Sequence, residues 1–379
     1  MAATSPTTTT RTTTRTMGLS FDENESVSNC SEKTCSTTTS TMASPESAFS
    51  LMVEGDYTYA PTSSAMAKSA MAILETRIGE RLASSSSSGE LRLLSMKESF
   101  DRSILTQFYE ELMIPNFPLE EERDDLEDWL LYLDPTFSKE EEEDSDNDGP
   151  QDGTSMDVLI LTIDNGTTTT ILGGIAFEYY PQAQVGLLSY MVVSTEFRRL
   201  GILGTLHPVF CHALQGLHEL TTQAHTPIAA ILAETNTATA GDVPTQVARK
   251  RHEILFKLGY RLLQFPYVQP PLATDGESFD DIMLLLYVGN NSSNSSQSTS
   301  TSSMDTTILY KYVLDFYYSV FGTNQEPLFQ DHWYFQLVTW YQQQCPSTHI
   351  QTQLPWEDVT PTFLAQMKQQ QQQQQEEGK

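Results

Sequence analysis

Residues 186–210 read GLLSYMVVSTEFRRLGILGTLHPVF. An apolar run of strand character ends at Ser194, and a helical run follows over about 200–217, with Leu203, Phe210, Leu214 and Leu217 at helical spacing. Two arginines and two glycines stand at the junction of the two patterns. Pro208 falls inside the helical run, where a missing N–H and a ring clash cost about 3 kcal/mol, so the helix either kinks there or starts late.

Upstream of this junction, DVLILTI (157–163), TILGGIAFEYY (170–180) and GLLSYMVVS (186–194) read as three successive strands. DNGTT and PQAQV between them have hairpin character. Earlier still, LRLLSM (91–96) is a short apolar run. FDRSILTQFYEELM (100–113) is a helix with Ile104, Phe108 and Leu112 on one face, capped by Asp101 or Ser103. EEERDDLEDWLLYL (120–133) is a second amphipathic helix, with Leu126, Trp129, Leu130 and Leu133 facing inward.

Downstream, IAAILAE (228–234) is a continuously apolar strand of the kind covered on both faces. GDVPTQVARKRHEILFKLGY is a helix with Asp242 as cap, Pro244 in the first turn and Gly259 as its stop. YRLLQFPYVQ (260–269) and DIMLLLYV (281–288) complete the sheet. The order β α α β β β α β α β β predicts an α+β fold: a mixed sheet of about seven strands with helices on both faces.

Composition sets the boundaries of the folded unit. Residues 1–90 are dominated by Ser and Thr, which points to a segment unable to bury enough surface to order its backbone. An acidic insert at 138–153, a Ser/Asn-rich linker at 289–305 and a Gln-rich tail at 346–379 read as solvated. One domain over 91–288 remains, followed at 306–345 by an appendix of two aromatic-rich amphipathic helices that pack on the domain or offer a homodimer contact.

The chain of 379 residues carries 21 basic and 50 acidic residues, a formal net charge of -29, which excludes a phosphate-backbone binder and hence a nucleic-acid partner. No apolar stretch reaches the length of a membrane span, and no apolar core of a secretory leader follows the first methionine. The expected location is cytoplasmic, and Asn294 then carries no glycan. Residues 1–21, with Arg11 and Arg15 and no acid before Asp22, are equally compatible with an organelle transit peptide and with plain disorder. Cys30, Cys35, Cys211 and Cys345 lack zinc-ligand spacing and read as free thiols, so no metal is expected.

The element order, together with VVSTEFRRLGILGTL and HEILFKLGY, resembles the GNAT superfamily of acetyl-CoA-dependent N-acyltransferases over about 91–288. The family signature is Arg/Gln-x-x-Gly-x-Gly/Ala at the helix start, preceded by Val-x-x-x-x-Arg. Val193, Arg198 and Gly201 match it, whereas Leu203 stands where the second Gly or Ala is usual and Gly204 comes one residue late.

The resemblance implies acetyl-CoA as cosubstrate, with its diphosphate on the main-chain amides of Arg198, Arg199, Leu200, Gly201, Ile202, Leu203, Gly204 and Thr205. Unpaired N–H groups and the positive end of a helix dipole suit such an anion, and glycine lets the backbone approach. It also implies that Met191, Val192 and Val193 pair with the pantetheine arm as an added strand would, and that Asn236 lies near the coenzyme. The basic cluster ARKRH (248–252) reads as solvated helix charge or as a partner of another coenzyme phosphate.

Acyl transfer to a small-molecule or peptide amine needs a base for the amine proton and an acid for the departing thiolate. Many family members use a tyrosine four residues before the glycine that ends the second helix of this core pair; here that position is Leu255. Tyr267 in FPYVQPPL and Tyr190 are the substitutes, and Glu234 is the candidate base with Glu178 as competitor. FPYVQPPL also resembles a stretch found in one set of uncharacterised superfamily members. The loop ATDGESFD, with Asp275, Glu277, Asp280 and Asp281, suits a cationic amine or is simply solvated. Loss of catalysis with retention of ligand binding is the alternative reading. A dinucleotide-binding fold would need G-x-G-x-x-G after its first strand, and the hairpin-like strands over 157–194 oppose it.

Overall fold

The computed structural model describes residues 59, 61–82, 89–117, 123–137, 153–237, 245–264, 267, 269, 281–289, 303–321 and 349–353. Among these, the first element is a helix, α1 (Ala65–Leu82), in a region whose composition reads as unfolded. Ser64 caps it, its Oγ accepting from Ala67 N at 3.0 Å, and Ala67, Ala70, Leu74 and Ile78 form a buried stripe at helical spacing. Ahead of the helix, Tyr59 donates to the buried Asp157 and Thr62 donates to Glu98. The boundary at residue 90 is therefore corrected. Small alanines and two large aliphatics are enough to seat a helix when a partner surface is present, and average composition does not register that.

The strands are β1 (Glu90–Ser95), β2 (Ser155–Asp164), β3 (Thr169–Tyr180), β4 (Val185–Val193), β5 (Ala230–Asn236), β6 (Tyr260–Leu263), β7 (Ile282–Tyr287), β8 (Ser303–Asp305) and β9 (His349–Gln353). Among the described residues they form one sheet in the order β1-β2-β3-β4-β5-β7-β6-β9-β8, parallel only where β4 meets β5. The seven strands expected from the sequence are all present. β8 and β9 extend the β6 edge and lie in segments read as linker and tail, a second correction. Strands of three and five residues carry too little pattern to stand out from polar surroundings.

The remaining helices are α2 (Arg102–Phe108, continuing through a wide turn Tyr109–Met113 to Asn116), α3 (Leu126–Leu133), α4 (Ile202–Thr222), α5 (Thr245–Leu258) and α6 (Thr306–Phe321). Asp101 caps α2, accepting from Ser103 N and Ile104 N at 2.9 and 3.1 Å. Gly259, at φ +102°, ends α5 as expected, whereas Asp242 and Pro244 lie outside the described residues. α4 begins at Ile202 despite Pro208, so the glycine turn stays at the N-terminus of the helix.

Helices cover both faces. α1, α4 and α5 pack on one through Leu74, Leu206, Phe210, Leu214 and Leu255. On the other, α2 and α3 lie over β2–β4 through Phe108 and Trp129, and α6 lies over β4–β5–β7–β6 through Tyr312, Val313 and Phe316. The appendix thus contributes a core helix; its second expected helix lies outside the described residues. Among the described residues no helix is long and apolar enough to cross a membrane.

Candidate functional site

The sheet opens at the one parallel junction among the described residues. β4 and β5 pair from Val185–Leu188 to Ala230–Ala233 and no further. The cause is visible on the other side of β4: Leu188 opposes Phe177 and Tyr190 opposes Ala176, so Ser189 is an extra residue, a β-bulge. A bulge bends its strand and increases local twist, which turns β4 away from β5. It also reverses the alternation. Leu188, Met191 and Val193 join the α4 side, while Tyr190 and Val192 face α2 and α3. β5 continues past the fork as Glu234–Asn236, keeping on its other edge the pairing with β7 that begins at Leu232. The β5-facing edge of Ser189–Val193 has no ladder partner among the described residues.

From the end of β4 the chain enters a tight turn. Arg199 sits in left-handed backbone at φ +69° and Gly201 at φ +75°, and α4 starts immediately after. A non-glycine residue in that region stores strain of about 1–3 kcal/mol and persists because the surroundings impose it. Arg198 supplies part of that constraint: its Nε donates to Val193 O at 3.2 Å and its Nη2 to Asn116 Oδ1 at 3.1 Å. Arg198 is therefore a clamp across the exit of β4, and Arg199 is the exposed cation of the pair.

A third arginine meets the turn from α1. Arg77 Nη1 lies 3.3 Å from Leu200 O and 3.4 Å from Thr205 Oγ1, and a Cβ at Gly201 would collide with its guanidinium. A Cβ at Gly204 would meet nothing within 4 Å. Ile202 is buried, Leu203 and Thr205 are half-buried, and Thr205 Oγ1 donates to Gly201 O at 3.0 Å.

On the α6 face of the fork, Glu234 is the first β5 residue beyond the paired segment, and it is buried. Its carboxylate accepts from Tyr267 OH, from Gln269 Nε2 at 3.2 Å and from Tyr312 OH at 3.4 Å. The candidate base and acid therefore touch each other. Burial, then the Glu234 charge, holds the Tyr267 phenol well above its usual value, so it keeps its proton throughout the neutral range.

Glu178, the competitor, is buried in a neighbouring set: Tyr180 OH and Ser189 Oγ donate to it, the latter at 2.9 Å. The rings of Tyr180 and Tyr312 meet edge to face at 5.3 Å between centroids. The two carboxylates therefore lie in separate hydrogen-bonded sets that meet through an aromatic contact between the bulge and α6.

Other candidates lie elsewhere. Tyr190 is packed against Phe117 and Trp129, and its hydroxyl accepts from Asp124 N at 3.0 Å, which places it in the α2–α3 core. Leu255 is fully buried beneath α5, so that helix offers no acid there. Asn236 is 2 % exposed, and its side-chain oxygen has no hydrogen-bond partner. In the basic cluster Arg249 and Lys250 are exposed, but Arg251 is buried and His252 Nε2 meets Asn236 O at 2.8 Å, so the solvated reading fails for its second half. Asp275, Glu277 and Asp280 lie outside the described residues; the main-chain oxygen of Asp281 accepts from Thr237 N at 3.0 Å.

Sequence reading missed Arg77, Ser189, Gln269 and Tyr312. Each acquires its place through a contact between distant segments. Only Tyr312 left a local trace, as part of an amphipathic aromatic helix.

Among known proteins, no family model and no curated protein matches the chain. Among solved structures, a Bacteroides thetaiotaomicron protein assigned to the GNAT family of acetyltransferases is similar at a TM-score of 0.34 and 18% identity, over 52% of this chain and 87% of its own. The likeness is distant.

Proposed function

We propose that the chain is an acyl-CoA-dependent N-acyltransferase that moves an acetyl group from acetyl-CoA to an amine within a ternary complex. The observation that carries this reading is the bulge-induced fork, whose unpaired β4 edge runs directly into a left-handed turn at a helix N-terminus. The residues fit the coenzyme: open space at Gly204 and the exposed Arg199 suit a diphosphate, and the edge of Met191–Val193 suits an amide-bearing arm. Arg77, Arg199 and the amides from Gly201 to Gly204 would hold the phosphates, the Thr205 amide being bonded to Gly201 O at 3.0 Å, and Asn236 would lie beyond the fork.

When bound, the coenzyme supplies the activated acetyl group. Glu234 takes the proton released by the amine nitrogen as its bond to carbon forms, and Tyr267 provides the proton that the departing sulfur needs as the C–S bond breaks. Both groups lie on the face of the sheet that α6 covers.

A second reading has its own observation. Leu255 fills the core position where many family members hold their acid, which favours a coenzyme-binding protein without turnover. Incubation with acetyl-CoA and a panel of primary amines separates the two. Free thiol release that is lost in Glu234→Gln supports the enzyme, and thermal stabilisation by acetyl-CoA without thiol release supports the binder. A response to neither overturns both.

A further inference from the structure

Gln269 is 1 % exposed and half satisfied. Its Nε2 donates to Glu234 Oε2 at 3.2 Å, while its Oε1 is buried with no hydrogen-bond partner. The orientation of this amide is chemically determined. An ionised carboxylate only accepts, so the NH2 end must face Glu234 and the oxygen must point away from it. A buried carbonyl oxygen left unpaired costs about 1–3 kcal/mol, and native structures keep such a group where a ligand, ion or water completes it. A second buried acceptor without a partner, Asn236 Oδ1, belongs to the same strand two residues beyond Glu234, hence on the same face.

We propose that Gln269 recognises the acceptor as an N–H-bearing cation: its Oε1 takes one N–H of an ammonium whose charge faces Glu234, and Asn236 Oδ1 is positioned to take another. A carboxylate and two unpaired carbonyl oxygens form a set without donors, complementary to a group that has donors alone. A primary ammonium has three such donors on one atom. Tyr267 and Tyr312 both donate to Glu234 Oε1, and Gln269 donates to Oε2. Tyr312 is thereby a positioning residue supplied by α6. The inference rests on the acyl-transfer reading for the fate of the nitrogen, but the recognition itself requires no thioester.

The test compares two monocations on the full chain at pH 7. Ethylammonium has N–H donors and tetramethylammonium has none. Ethylammonium at about ten times its dissociation constant should raise Tm by about 3 °C, and tetramethylammonium should bind at least about tenfold more weakly. Gln269→Met should narrow the difference between the two ions. Tyr312→Phe, which leaves Gln269 intact, should preserve it and guards against a general loosening of the site.

Equal effects of the two ions on the wild-type protein, no stabilisation by ethylammonium, or an unchanged preference in Gln269→Met would each overturn the proposal. Discrimination between the ions without thiol release would sink the transfer reading and leave this site standing. Thiol release without discrimination would do the reverse.

Discussion

Gly201 and Gly204 stand three residues apart and answer different demands. Gly201 has a left-handed φ of +75° and lies against Arg77, so any replacement mixes backbone strain with loss of the pocket. Gly204 is helical and opens onto free space, so Gly204→Glu adds an anion without a clash and should improve helix propensity by a few tenths of a kcal/mol. Titration with acetyl-CoA should show at least about tenfold weaker binding for Gly204→Glu, with Tm unchanged or higher and Gly204→Ala close to wild type. Arg199→Gly tolerates the left-handed backbone and removes the charged side chain; it should bind more weakly and with a shallower salt dependence. If both variants bind like wild type, the diphosphate sits elsewhere. At this scale the sequence carried the chemistry of single residues but not their pairings. Glu234 and Tyr267 were legible as separate candidates, whereas their mutual hydrogen bond depends on β6 stopping at Leu263 so that the chain returns toward β5. The resemblance implied a phosphate-binding place for Arg198, and only the contact with Asn116 of a distant segment reveals the clamp.

α1 is the element whose standing changes most. Leu74 is completely buried between α1 and the α4 side of the core, so Leu74→Ala should cost about 2–4 kcal/mol, seen as a lower urea midpoint at unchanged m. A helix merely resting on the domain would lose no more than about 0.5 kcal/mol from the same change. Because Arg77 sits one turn further along the same helix, the variant should also weaken acetyl-CoA binding more than an equally destabilising change in α3. The seven central strands were legible because β2, β3, β4, β5 and β7 are covered on both faces and read as apolar runs bounded by turn residues. α1 was not, since its inward stripe is half alanine and its surroundings are Ser and Thr. The bulge at Ser189 left no local mark either. LLSYMVV would fit a regular strand, and the extra residue is defined only against β3.

The whole molecule combines a strongly acidic surface with histidines held neutral in its interior. His207, on α4, faces Tyr260, Cys211 and Tyr287, all uncharged at neutral pH, and burial pulls its pKa down to about 3. Burial lowers His212, His218 and His252 in the same direction. In the unfolded chain these imidazoles take up protons near pH 6.5, whereas the folded state takes up the His207 proton only at about pH 3 and the others below their ordinary value. Between those values the unfolded state binds more protons, so their contribution to stability must fall as pH falls, by up to about 1.4 kcal/mol per pH unit for each histidine fully involved. Carboxylates of ordinary pKa stay ionised above about pH 5, while Asp157 and Glu98, raised by burial, pull the other way as pH falls, so the histidine contribution is read from the His207 variant rather than from the wild-type slope alone. Denaturant titrations from about pH 6.5 to 5 give it as the difference in slope between wild type and variant. His207→Gln, which keeps a hydrogen-bonding side chain beside Tyr260 but cannot titrate, should be less stable at pH 8 and have a shallower slope. An unchanged slope in that variant would mean that the folded protein accommodates the His207 proton, and that the α4 core is wetter than its packing allows.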